Sequence, residues 1–186
     1  MRVPRLKRTG GLVRAFMARA AQADAEVERF ATRGAAGKFL AGLIKSHGWA
    51  AAAAAPDALS LLPKTLGVEW VEASDPPICG RADLGIVTAD YGIAATGTLV
   101  HLDTGDADRL AWTLPPVCVC FLRERTIVAE ADDLVEVMSG HLRPGRKPGF
   151  AQVSFVTGPS RTADIEAELT LGVHGPGRLI ILLYGA

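Results

Sequence analysis

Apolar and polar positions follow two rhythms in this chain, and the strongest strand signals lie towards its end. Residues 150–156 alternate into an apolar run and read as a buried strand, which Gly158-Pro159 stops. Residues 178–183, RLIILL, read as a second buried strand. Between them Ile165, Ala167, Leu169 and Leu171 form one apolar side, which predicts a helix over 162–171. Thr162 is its expected N-cap, Asp164 lies in its first turn and Gly172 closes it. Strand, helix and strand joined by short connections predict a right-handed βαβ unit with parallel strands, which places the loop 157–162 at the carboxyl edge of the sheet, where open parallel sheets bind ligands.

Upstream, residues 91–94 and 98–102 are apolar runs separated by Ala95-Thr96-Gly97. That spacing predicts a hairpin, with Gly97 supplying a positive φ and Thr96 and Thr98 presenting hydroxyls at one end of a sheet. Residues 117–122 read as a central buried strand behind Leu114-Pro-Pro, residues 126–128 as a short continuation and residues 132–138 as a helix. Nearer the start, Leu12, Phe16, Ala20, Val27 and Phe30 suit one long surface helix over 12–30. The alanine-rich stretch 38–55 reads as a second helix ended by Pro56, with a further turn or two over 58–65 and a short strand over 68–71. The expected fold class is α/β: one domain over 1–186, a mainly parallel sheet with helices on both faces, and residues 1–35 as a basic N-terminal helical arm.

Composition narrows the functional classes. Twenty basic and twenty acidic residues cancel among 186, and 49% of positions are apolar. That balance excludes a basic nucleic-acid footprint. No apolar run approaches the roughly 18 residues of a membrane span. Arg14 and Arg19 interrupt the only candidate secretory core, and a reducing cytoplasm, which suits free thiols, is the expected location. Cys79, Cys118 and Cys120 lack C-x-x-C spacing; Cys118 and Cys120 are expected on opposite sides of their strand, as buried reduced thiols without a metal. No Walker loop or G-x-G-x-x-G is present, so no nucleotide cofactor is expected.

Candidate chemistry concentrates in the loop Thr157-Gly-Pro-Ser-Arg-Thr162. It combines Gly158 for close approach, the hydroxyls of Ser160 and Thr162, the guanidinium of Arg161 and a predicted helix N-terminus. That set suits a small carboxylate or phosphate. An ordinary turn and cap explain the same residues. A ligand carrying both a carboxylate and a hydroxyl would use Arg161 with Asp164. Ser160, His174 and Asp164 are the residue types of a nucleophile triad, but Gly-Pro-Ser-Arg is not a nucleophile elbow. His174 is expected to hydrogen-bond the turn before the last strand. The basic loop over 141–149 is a further candidate cover for an anion.

Three segments carry a family resemblance: GIAATGTLV (92–100), SFVTGPSRTADIE (154–166) and LGVHGPGRL (171–179). Together they resemble the LUD-domain lactate-utilisation family, the LutC/YkgG group. Ala95 stands where that family commonly has Glu or Asp. The resemblance implies a NagB/RpiA/CoA-transferase-like architecture. It also implies a subunit of a system oxidising L-lactate to pyruvate beside iron–sulfur partner subunits, the clusters lying outside this chain. Thr96, Gly97 and Thr98 join Gly158, Ser160, Arg161, Thr162, Asp164 and His174 as candidate ligand residues. The alternatives are a free-standing sugar-phosphate isomerase or acyl/CoA-transferase-like enzyme, and a regulatory or assembly module.

Overall fold

A computed structural model describes residues 9–59, 62, 66–103, 105–141, 152–163 and 169–185. In chain order, α1 (Thr9–Gln22) leads to β1 (Glu26–Phe30), α2 (Arg33–His47), β2 (Ala51–Ala54), α3 (Pro56–Leu59), β3 (Glu69–Val71) and α4 (Pro76–Cys79). Then come β4 (Leu84–Ala89), β5 (Tyr91–Ile93), β6 (Thr98–Asp103), α5 (Asp106–Thr113), β7 (Val117–Arg123), a 3₁₀ turn (Glu124–Thr126) and β8 (Ile127–Val128). The last elements are α6 (Asp132–His141), β9 (Gln152–Val156), β10 (Arg161–Ala163), β11 (Leu169–Leu171) and β12 (Arg178–Tyr184).

The most apolar runs build the centre. β4, β7 and β12 lie side by side in a six-stranded, wholly parallel sheet of order β1-β12-β7-β4-β2-β3. Helices cover both faces, as such a sheet requires. Gly85 of β4 is level with Cys118 and Leu179, and α5 packs so closely there that a Cβ would fall on the carbonyl of Ala111. On β1, Phe30 is level with Tyr184, and its ring lies 5.1 Å from that of Phe39 on α2. Positions 179 and 184 are an odd number of residues apart on one strand, so α5 and α2 cover opposite faces. The expected α/β class, with a mainly parallel sheet and helices on both faces, is what the structure shows.

A second, four-stranded sheet, β8-β5-β6-β9, leaves the carboxyl end of β4 through Asp90. Its β5–β6 hairpin is antiparallel with Gly97 at φ +69, as the spacing of the two apolar runs predicted. Gly92 lies between Leu122 of β7 and the ring of Phe16 on α1, which joins this sheet to the core.

Several expectations are corrected. The helix over 12–30 ends at Gln22: Asp24 adopts φ +61, a left-handed bend, and residues 26–30 form β1 beside β12. Residues 9–22 are no solvated arm, since Val13, Phe16 and Ala20 are fully buried. The helix over 38–55 is α2 followed by a strand. Thr32 caps α2 through its Oγ1, Gly48 at φ +68 ends it, and Ala51–Ala54 fit between β3 and β4. Alanine favours helices, but four consecutive small side chains also suit a strand packed closely on both faces, and tertiary pairing outweighs propensity. The βαβ unit at the end is absent. β9 pairs antiparallel with β6 in the small sheet, while β12 belongs to the parallel one. The expected helix over 162–171 is replaced at both its ends by an antiparallel pair, with Thr162 opposite Thr170; residues 164–168 lie outside the described residues. Alternating Thr-Ala and Leu-Thr-Leu fit a strand as well as a helix face. The polar stretch 104–108 leads into an unforeseen helix, α5. Cys118 and Cys120 share one face of β7, because residues two apart on a strand point the same way. Both are fully buried.

The amino edge of the sheet carries a clustered ion pair. Arg178 Nε and Nη2 donate to Glu26 Oε1 and Oε2 at 2.6 and 2.9 Å, and its Nη1 lies 3.0 Å from His47 Nε2. His47 Nδ1 lies 3.0 Å from the Leu43 carbonyl, so the imidazole donates there and accepts from Arg178. The Arg178 guanidinium holds the Glu26 carboxyl below its ordinary value of 4.5. A carboxylate lowered in the fold adds stability above its unfolded pKa and loses it as pH falls through the folded value. The melting-point advantage of the wild type over Glu26→Gln should therefore be present at pH 6 and shrink from about pH 4.5 downwards. The group is half exposed, so the effect is modest. A constant gap in melting point from pH 6 to pH 3 would refute the coupling.

Candidate functional site

Two motif-bearing loops meet on the end of α1. The β5–β6 turn brings Gly97 against it: a Cβ at Gly97 would fall on the backbone of Arg19 and Ala20. Gly158, at φ +72 in the loop after β9, sits so close that a Cβ would fall on the carbonyl of Ala23. Each glycine is needed twice over, for its left-handed backbone and for the close approach.

Docked this way, the loops share a hydroxyl chain. Thr96 Oγ1 lies 2.6 Å from Thr98 Oγ1, which lies 2.7 Å from Thr157 Oγ1. Thr98 is buried, whereas Thr96 and Thr157 are exposed. Three hydroxyls own three protons and these two bonds use two of them. One O–H is therefore left to donate beyond the chain, and when both bonds run in one direction a lone pair is open at its other end. That arrangement suits a ligand offering both an acceptor and a hydroxyl.

The loop continues into a tight knot. Ser160 N–H donates to the Pro176 carbonyl at 2.8 Å, and Gly172 N–H donates to the Ser160 carbonyl at 3.0 Å. The hydroxyl of Ser160 accepts from the backbone N–H of His174 at 3.3 Å. His174 thus serves the turn before the last strand as expected, but through its backbone; its side chain is exposed. Among the described residues, Ser160 Oγ is bonded by a peptide N–H, which lends a nucleophile triad no support. Arg161 does not project free: Nη2 lies 2.5 Å from Asp24 Oδ2. Thr162, the expected N-cap, is in β10 instead. Asp164 and the basic loop over 142–149 lie outside the described residues.

The position of this cluster also differs from expectation. Asp24 precedes β1 by two residues and Pro176 precedes β12 by two, so the cluster borders the amino edge of the parallel sheet. The carboxyl edge carries a different polar pair, which the sequence reading missed. The connections reverse between β2 and β4, since β3 lies to one side and β7 and β12 to the other. At that switch point Asp90 Oδ2 accepts the Leu102 N–H at 2.8 Å and lies 3.4 Å from Nδ1 of His101. His101 is 2% exposed and its ring lies 5.6 Å from that of Trp112. Asp24 was missed as well; an aspartate between alanines before the polar-apolar run EVERF was its one available signal.

Among the described residues no three His, Cys, Asp or Glu side chains gather as a metal set. Burial pushes the thiols of Cys79, Cys118 and Cys120 up, which keeps them protonated and poor as ligands or nucleophiles. No helix among the described residues is long and apolar enough to cross a membrane.

A doubly covered parallel sheet with an appended hairpin sheet, carrying the two threonine–glycine loops, defines the class of α/β domain. Residues 77–184 match the LUD domain, and the chain belongs to that family. It is 34% identical over 112 residues to lactate utilization protein C of Anoxybacillus flavithermus, covering 60% of this chain and 46% of that protein. The protein of the same name from Halalkalibacterium halodurans is 36% identical over 101 residues, with 53% and 42% covered. That of Deinococcus radiodurans is 32% identical over 126 residues, with 65% and 57% covered. The matches thus span about half the length of these relatives. A solved DUF162 family protein from Deinococcus radiodurans has the same fold at a TM-score of 0.68, with 22% identity, 96% of this chain and 99% of that one covered.

Proposed function

We propose that this chain serves lactate utilisation as a component that binds a small hydroxy carboxylate, and that electron transfer lies with cluster-bearing partner subunits. The observation that carries the reading is the docking of the two threonine–glycine loops on the end of α1, which builds one hydroxyl chain beside the Arg161–Asp24 pair. The names of the relatives supply lactate as the acid. The buried, protonated thiols support placing the clusters elsewhere. A charge-assisted bond from Arg161 contributes about 1.5–3 kcal/mol. Set against association entropy, that corresponds to weak, roughly millimolar binding.

The test is an NMR titration with L-lactate and inorganic phosphate. Lactate should shift the amides of Gly97, Gly158 and Arg161, and Arg161→Ala should abolish this while its melting point stays within about 2 °C, as expected of a surface ion pair. Equal binding by wild type and Arg161→Ala would sink the reading. Shifts confined to Asp90, His101 and Leu102 would instead favour the alternative of a free-standing enzyme. The specific support for that alternative is the carboxylate–imidazole pair at the carboxyl end of β4.

A further inference from the structure

The proposed site contains an acid of its own. Asp24 sits in the bend between α1 and β1 at φ +61, the one non-glycine residue with positive φ among the described residues. Aspartate tolerates that backbone better than most residues. The bend aims its carboxylate at Arg161 Nη2, 2.5 Å away, and Asp24 itself remains 68% exposed at the side chain. Ala23, its neighbour, is the residue on which Gly158 packs. The bend therefore borders the ligand loop directly.

This pairing changes what the site can recognise. An isolated guanidinium would attract any small anion. Here the Asp24 charge offsets that of Arg161, so a bare carboxylate or phosphate meets little net attraction and one close like charge. Of the five N–H donors of the guanidinium, one on Nη2 faces Asp24 and four remain for a carboxylate, while Asp24 has two oxygens, of which Arg161 engages one. A ligand profits from both partners when it brings an acceptor for Arg161 and a donor for Asp24. An α-hydroxy acid carries these groups on adjacent carbons.

We infer that Asp24 is a specificity-determining residue, selecting 2-hydroxy carboxylates over simple carboxylates and inorganic anions at Arg161. This rests on the binding reading above and deepens it. Asp24 makes no bond in any reaction; it accepts the ligand hydroxyl and discourages ligands that lack one.

Methyl and amide NMR titrations of wild type, Asp24→Gly, Asp24→Asn and Arg161→Ala with L-lactate, propionate and inorganic phosphate test the assignment. Glycine removes the carboxylate while keeping the left-handed backbone, and asparagine keeps both the backbone and a neutral acceptor. Wild type should bind lactate about tenfold more tightly than propionate, the ratio that one such hydrogen bond supplies. In Asp24→Gly the ratio should fall towards one, and propionate and phosphate should bind more tightly than they do to wild type. Asp24→Asn should lie between. An unchanged lactate-to-propionate ratio in both Asp24 variants, with binding still lost in Arg161→Ala, overturns the role of Asp24 and leaves the site standing. Equal binding by wild type and Arg161→Ala, or no binding by wild type, overturns both.

Discussion

Gly97→Val should be among the most damaging single substitutions in this protein, lowering the melting midpoint by at least about 4 °C. A β-branched residue at φ +69 carries about 1–3 kcal/mol of backbone strain. Its side chain would also fall on the backbone of Arg19 and Ala20, and such overpacking costs about 1–3 kcal/mol more. At about 2–4 °C per kcal/mol for a chain of this size, even the lower sum gives that shift. Gly42→Ala is the matched control: nothing lies within 4 Å of its added Cβ on α2, and alanine should be neutral or stabilising by up to about 1 kcal/mol. Thermal unfolding followed by circular dichroism separates the two. Equal midpoints for Gly97→Val and wild type would mean that the hairpin does not dock on α1. Because Thr98 follows Gly97, the hydroxyl chain to Thr157 should be lost with the docking.

Phe16→Ala should cost about 3–5 kcal/mol, or roughly 6–20 °C of melting temperature. The ring is fully buried and lies against Gly92, beside Leu122, where the small sheet joins the parallel one. Removing it leaves a cavity that glycine cannot fill and that the paired strands on either side cannot close. The same helix carries the end on which Gly97 and Gly158 pack, and leads into the Asp24 bend. Lactate shifts should therefore weaken in this variant at temperatures where it remains folded. A loss below 1 kcal/mol in urea unfolding would show that α1 is not part of the core.

Much of the candidate site was legible in local chemistry. A glycine three residues into a break between apolar runs is a turn because only glycine takes that φ cheaply, and Gly97 does so. The long apolar runs at 117–122 and 178–183 had to be strands buried on both faces, since such stretches have no polar side to show to water. Thr96, Thr98 and Gly158 were named from those breaks and lie together. Arg161 was named too, but its partner was not. Asp24 is 137 positions earlier, and ion pairing across such a distance leaves no local pattern.

What the sequence alone determined was therefore short-range: which residues turn, which must be buried, and that the charge balance suits no nucleic acid. The tertiary structure decided the rest. Ala51–Ala54 became a strand because β3 and β4 offered hydrogen bonds on both sides, which outweigh a propensity of a few tenths of a kcal/mol per residue. β9 joined β6 in the small sheet and β12 joined β7 in the parallel one, although one apolar pattern suits either partner. Periodicity reports which side of a segment is apolar and carries no information on which distant segment will cover it. That choice, made by packing, moved the loop 157–161 from an expected carboxyl edge to the amino edge and set Arg161 against Asp24.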